Sequence, residues 1–439
     1  MTNFAVLFKM KCSKTHSVLL LLAMLLGSIG MRGQDYPWLS HNNIMVEARV
    51  HAGLFWHHHF EMQKFNARYP AIEASVYQNT FGKNEWESAY NYPYIGATFY
   101  HANFGYNFEQ NPEVGEALGS VYALYPFINY PLTPNHRCQL TFKLGVGLGY
   151  LTRHFENLED PLYQNFSIGS HLNAAVNLSF EYRQRITPRL MSVASFGLTH
   201  FSNGSTKLPN YGLNTFSGAL GLAYYLRDPR LNLTPASRPE HYPFEFDFKK
   251  WLSFDVDYGI GFKNVSQTLG GDSTQYYHVH DFSTYLLAQF TPYSRVGVGL
   301  SLVLDLSDQT LPGYAHDENG NLYVTIINKE GHSESIPVEI FQLTRINFNL
   351  CYAMTMDRLS YYFEFGWHLK YNDIPLSKGN IYQKVTARYQ LHDNIYAHLG
   401  LMTHFGRADY LCVGLGYRFN QKYYLNHEKG SRPHIPGMR

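Results

Sequence analysis

Beyond its N-terminal segment the chain has no apolar run approaching the ~18 residues that a membrane-crossing helix needs. Charge is sparse: Asp, Glu, Lys and Arg make up 16% of the residues and the formal net charge is +1, so nothing favours a nucleic-acid partner. Cysteine is scarce too. Of four cysteines, Cys12 lies in the N-terminal segment, leaving Cys138, Cys351 and Cys412. An odd number excludes a complete intramolecular disulfide framework, and the spacing matches no zinc motif. The three read as small packed residues, and neither metal nor cofactor is expected.

The chain is instead rich in tyrosine (36), phenylalanine (30) and glycine (35). Its first residues read as a secretory signal. Lys9, Lys11 and Lys14 form a basic region, Val18 to Leu26 an apolar core too short to span a bilayer, and cleavage is expected near Gly33 or Gln34. Cys12 precedes the apolar core and is no acylation site. The mature chain is therefore exported.

The rest alternates with period two. Leu172, Ala174, Val176, Leu178 and Phe180 interleave with Asn173, Ala175, Asn177, Ser179 and Glu181; Val296, Val298, Leu300 and Leu302 interleave with Gly297, Gly299, Ser301 and Val303. One face of each such strand is strongly apolar. The other is small, glycine-rich and lightly charged, unlike the Lys- and Glu-rich outer face of a soluble sandwich. Aromatic-rich, glycine-rich alternation in an exported chain points to an all-β, transmembrane, antiparallel up-and-down barrel in the outer membrane. About sixteen strands are expected, beginning near Ile44, Ala71, Tyr94, Leu118, Gln139, His171, Leu190, Thr215, Trp251, Asp281, Arg295, Phe341, Leu359, Ile381, Ile395 and Asp409. Short connections such as Ile186–Arg189 and Met356–Arg358 alternate with long ones such as Arg153–Gly169, Ser202–Asn214 and Asp308–Glu339. With short turns periplasmic and long loops external, the first strand runs outward.

The proline-containing segment 227–250 interrupts this rhythm. The expected organisation is a signal peptide (1–33), an N-terminal eight-stranded half (34–226), a periplasmic connection (227–250) and C-terminal strands (251–439). A single large barrel of about 14–16 strands is the preferred architecture, because two barrels would each need their own closure. The alternative is two eight-stranded barrels.

The chemistry concentrates at Thr199-His200-Phe201-Ser202-Asn203-Gly204, the end of an alternating strand. Residues i and i+2 of a strand share a face, so His200 and Ser202 stand together on the side that carries Phe196 and Leu198. An imidazole able to take a proton from a hydroxyl makes that hydroxyl a nucleophile. A nucleophile facing hydrocarbon suits a lipid substrate. Ordinary interfacial polar decoration is the plain alternative, and turn chemistry alone accounts for Asn203, Gly204, Asn210 and Gly212.

The run His200-Phe201-Ser202-Asn203, followed by Pro209-Asn210, Gly212 and Asn214, resembles the lipid A 3-O-deacylase (PagL) family, eight-stranded outer-membrane barrels that hydrolyse an ester-linked acyl chain of lipopolysaccharide. The match is close over Leu190–Leu226 and looser from Ile44 onward. With Trp86 and Ile168-Gly169-Ser170, the wider pattern is similar to larger proteins of Bacteroidetes-type bacteria described as acyloxyacyl hydrolases. The resemblance implies His200 as general base, Ser202 as nucleophile, and Asn210 with backbone N–H groups around Asn203 and Gly204 as oxyanion donors. It implies lipid A or a related outer-leaflet lipid as substrate. The family's third member is a glutamate twelve residues after the serine, and here that position is Asn214. An amide orients an imidazole but adds no charge, and in a serine protease the equivalent loss costs about four orders of magnitude. Glu181, on the neighbouring strand, faces inward and is a poor substitute.

Three further features have plain readings. Trp56-His57-His58-His59 reads as interfacial rather than metal-binding. The segment Leu401–Gly406 echoes Leu198–Ser202 but lacks the serine, and its His404 points inward. Asp255, Asp257 and Asp305 either line a pore or pair with inner arginines such as Arg345 and Arg418. A non-enzymatic barrel, channel or adhesion scaffold, is the competing function.

Overall fold

A computed structural model describes residues 44–419, apart from internal segments of which 156–164, 229–251, 266–274 and 371–379 are the longest. The expected signal peptide, most of the proline-containing connection, His58 and His59 lie outside the described residues.

The N-terminal part comprises β1 (Ile44–Phe55), β2 (Arg68–Asn79), β3 (Tyr94–Asn103), β4 (Ser120–Pro131), β5 (Cys138–Leu151), β6 (Leu172–Arg185), β7 (Leu190–Ser202) and β8 (Leu213–Tyr225). The C-terminal part comprises β9 (Leu252–Val265), β10 (Gln275–Thr291), β11 (Ser294–Asp305), then the small strands β12 (Tyr314–His316), β13 (Leu322–Ile327) and β14 (Ser333–Pro337), then β15 (Thr344–Met356), β16 (Leu359–Lys370), β17 (Ile381–Gln390), β18 (Ile395–His404) and β19 (Arg407–Phe419). β12–β14 form a separate three-stranded sheet within the long 306–343 loop.

The remaining strands close into two antiparallel eight-stranded barrels, which corrects the expectation of one large barrel and matches the alternative. β8 does not continue into β9. It turns back onto β1 in an unbroken ladder from Met45↔Tyr225 to Phe55↔Thr215. β19 closes onto β9 from Leu411↔Phe262 to Phe419↔Phe254. Both closures that a two-barrel chain requires are therefore made.

Each barrel is polar within and apolar without. On β1 every second residue is buried, and these include Glu47, Arg49 and His51, whereas Val50 and Leu54 are exposed. On β11 Val296, Val298, Leu300 and Leu302 are exposed while Arg295, Ser301 and Asp305 are buried. Lipid solvates such an exterior, and barrel closure satisfies the backbone without water.

Eight strands leave an interior just wide enough for side chains. In the first barrel Glu47, Glu73 and Glu181 interleave with Arg49, Arg183 and Lys143. Arg49 reaches Glu181 at 2.6 Å, Lys143 reaches Glu73 at 2.6 Å, and Arg183 reaches Glu47 at 2.9 Å. In the second, Asp255 pairs with Arg418 (2.9 Å) and Arg388 (2.9 Å), Asp305 with Arg345 (3.0 Å) and Lys263 (2.7 Å), and Asp281 with Lys384 (2.7 Å). Of the two readings of the inner aspartates, pairing with arginine is the one realised. Cys138 is half-buried, Cys351 and Cys412 are buried, and all three are free.

The barrels touch at both ends. Tyr130 at the end of β4 packs on Met354 and Met356 of β15, with Trp86, Tyr90, Leu359 and Tyr361 around them. Tyr90 Oη donates to the Tyr293 carbonyl (2.7 Å). At the opposite, long-loop end, the turn after β7 meets β9 and β19.

Candidate active site

β7 places the proposed site by parity. Thr199 and Phe201 point into the barrel: Thr199 accepts from Asn177 (3.0 Å) and Phe201 joins the buried core. The alternate residues run outward as Phe196 (60% exposed), Leu198, His200 and Ser202. On β8 the outward set is Leu222, Leu220, Phe216 and Asn214. The ladder sets His200 directly opposite Asn214, and their side chains meet with Nδ1 2.6 Å from Oδ1. With the amide oxygen as acceptor, Nδ1 carries the ring proton and Nε2 is the basic nitrogen.

Ser202 lies on the same outward side, yet it is only 2% exposed. The segment that returns from β7 to β8 covers it. Asn210 Nδ2 donates to Ser202 Oγ at 2.9 Å and the Gly204 N–H donates to it at 3.2 Å. Two N–H donors thus converge on the hydroxyl oxygen, and its own proton remains to be given. Asn203 is used differently. Its N–H donates to Asn210 Oδ1 (3.2 Å), and its side-chain amide donates to Ser170 Oγ (3.0 Å) and the Lys207 carbonyl (2.8 Å). Asn203 holds the turn and orients Asn210. Gly204 and Ser205 both have positive φ (65° and 62°), which brings the chain round sharply enough for the Gly204 N–H to face back toward Ser202.

The site therefore contains two hydrogen-bonded units on one face, His200–Asn214 and Ser202–Asn210–Gly204. Among the described residues no hydrogen bond joins His200 to Ser202. Serine–base contacts are often loose before substrate arrives.

The loop before β6 supports the arrangement. Gly169 lies so near the 207–209 backbone that a Cβ there would fall 2.8 Å from the Lys207 carbonyl oxygen and 2.9 Å from that of Pro209. The Gly212 N–H donates to the Ser167 carbonyl (2.9 Å) and that of Tyr211 to Phe166 (3.2 Å). Asn165 Nδ2 extends the support to the Ala117 carbonyl (3.1 Å) at the end of helix α1 (Pro112–Leu118), which Asn111 caps. Single-sequence alternation gave no sign of this helix. Glu181 lies inside the barrel, paired with Arg49, Arg183 and Asn129, and has no access to His200. His404 also points inward, 3.1 Å from His368, so the Leu401–Gly406 echo builds no second site. No group of three or more metal-ligating side chains occurs among the described residues.

Two side-by-side barrels with apolar outer faces, one with a His/Ser/Asn cluster on its outward side beneath the β7–β8 segment, define a class: a membrane-embedded β-barrel whose polar cluster lies on its outer wall rather than in its lumen. Residues 71–223 match the family described as lipid A 3-O-deacylase (PagL), and residues 252–421 match acyloxyacyl hydrolase, C-terminal domain. The two matched regions correspond to the two barrels, the first similar to the PagL family and the second to the acyloxyacyl hydrolase C-terminal domain. Among solved structures, the outer-membrane enzyme PagL is similar at 14% identity over 40% of this chain and 97% of its own, with a TM-score of 0.27. Neisserial surface protein A is similar at 10% identity over 41% and 96%, with a TM-score of 0.26. No curated protein matches.

Proposed function

We propose that the protein is an outer-membrane serine esterase that removes ester-linked acyl chains from lipid A or a related outer-leaflet lipid. One observation carries the reading: Ser202, with two N–H donors on its oxygen, shares the lipid-facing wall with an imidazole whose Nδ1 is held by Asn214. The match of this barrel to the lipid A deacylase family supports the substrate class.

In this reading Nε2 of His200 takes the Ser202 proton as Oγ attacks the ester carbonyl. Asn210 Nδ2 and the Gly204 N–H turn to the developing oxyanion. The carbonyl–alkoxide bond breaks, and the imidazolium returns its proton to the sugar alkoxide. Water, deprotonated by His200, then releases the fatty acid and restores Ser202. Asn214 holds the ring but leaves the imidazolium without a counter-charge, so turnover is slow. The amide at this position also favours a second reading, a barrel whose deacylase site has degenerated into a lipid-contacting surface.

Mass spectrometry of lipid A separates the two. Cells making the wild-type protein are expected to lose an ester-linked acyl chain that cells making Ser202→Ala keep. Identical acyl patterns would reject deacylation.

A further inference from the structure

The catalytic turn is not held by its own barrel alone. Ser205 Oγ donates to the Ala408 carbonyl of β19 (2.8 Å). The Asn264 N–H at the end of β9 donates to the Ser205 carbonyl (3.2 Å), and Asn264 Nδ2 reaches the Thr206 carbonyl (3.4 Å). Ser205, Asn264 and Ala408 are all buried. Three bonds from the second barrel therefore fasten the two residues that follow Gly204, the residue whose N–H faces Ser202.

A further contact is apolar. Leu411 of β19 lies outward and 38% exposed, and a Cβ on Gly204 would sit 3.6 Å from its own Cβ. β7 carries His200 and Leu198 on the same face as Ser202, and β19 brings Leu411 against Gly204.

We infer that the C-terminal barrel is part of the hydrolytic site: its β9 and β19 ends fix the Gly204 oxyanion donor through Ser205, and Leu411 walls the seam in which a long acyl chain lies. The inference rests on the esterase reading and assigns the seam to it. Ser205 and Asn264 are positioning residues, because they act through Gly204. The first barrel carries His200, Ser202 and Asn214 on its outward face, where lipid would otherwise be the only neighbour. A second barrel beside that wall replaces mobile lipid with a fixed surface, which favours pre-organised donors.

The full-length protein in detergent, assayed with p-nitrophenyl butyrate and p-nitrophenyl tetradecanoate, tests this. Unheated migration on SDS gels reports that each variant is folded. Ser205→Ala removes one bond to β19 and keeps the backbone. It is expected to lower kcat about tenfold on both esters with KM unchanged. Leu411→Trp is expected to lower kcat/KM for tetradecanoate about tenfold more than for butyrate. Ser202→Ala provides the reference, with no turnover. A wild-type kcat in Ser205→Ala, or an unshifted chain-length preference in Leu411→Trp, would overturn the role of the second barrel while leaving the esterase in place. Full activity in Ser202→Ala would overturn both.

Discussion

At the scale of single residues, the proposed esterase turns on the departure at Asn214. Its oxygen lies 2.6 Å from His200 Nδ1, so the geometry of an acid–base pair is already built and only the charge is missing. Asn214→Asp is isosteric and supplies that charge. It is expected to raise kcat about tenfold to a hundredfold, measured with a chromogenic acyl ester, because the imidazolium then has a carboxylate beside it. Unchanged or lower activity would mean that the ring does not become charged in the rate-limiting step. That His200 and Ser202 share the outward face of β7 was legible in the sequence, since parity alone determines which face a strand residue occupies. The convergence of Asn210 and Gly204 on Ser202 was only partly legible. Asn and Gly mark a turn, but which N–H of a turn points back depends on two successive positive φ angles that no spacing rule supplies.

At the scale of elements, the loop before β6 supports the segment that covers Ser202. Gly169 is the contact point, with room for hydrogen but not for a methyl group against the backbone of residues 207–209. Gly169→Ala forces one loop away from the other. A cost of about 1–3 kcal/mol is expected, read as a lower unfolding midpoint in detergent, together with a fall in kcat as Asn210 moves off Ser202. A variant as stable and as active as the wild type would show that the loops do not press on one another. The sequence had flagged Ile168-Gly169-Ser170 only by resemblance; the structure supplies the steric reason. The sixteen barrel strands were legible because lipid outside and packed side chains inside impose strict alternation. Helix α1 and the β12–β14 sheet lie in long loops between strands, where neither constraint operates, and alternation gave no sign of them.

At the scale of the whole molecule, the number of barrels was not legible. Period-two alternation fixes which face of a strand is inside, but it does not say whether β8 pairs with β1 or with β9. That choice depends on register across the closing ladder. The consequence is functional, since one sixteen-stranded barrel would enclose water, whereas two eight-stranded barrels are filled. Buried Arg183, Arg345, Arg388 and Arg418 occupy the two interiors with their acidic partners, and Arg295 is buried in the second. Protein reconstituted in planar bilayers is therefore expected to show no stepwise ion conductance, and reproducible single-channel steps would contradict the filled interiors. The same ion pairs hold each barrel. Arg183→Met leaves Glu47 and Glu181 short of a partner inside the wall. It is expected to destabilise the folded state by about 3–5 kcal/mol in urea titrations of protein in lipid vesicles.

The central claim is that Ser202, on the outer wall of the first barrel, is the nucleophile. Its most direct test is reaction of the folded protein with a long-chain fluorophosphonate, followed by peptide mass spectrometry. The account predicts a phosphonyl adduct on Ser202 that disappears in His200→Ala. A protein that hydrolyses acyl esters but carries the adduct on another residue, or carries none, would contradict it.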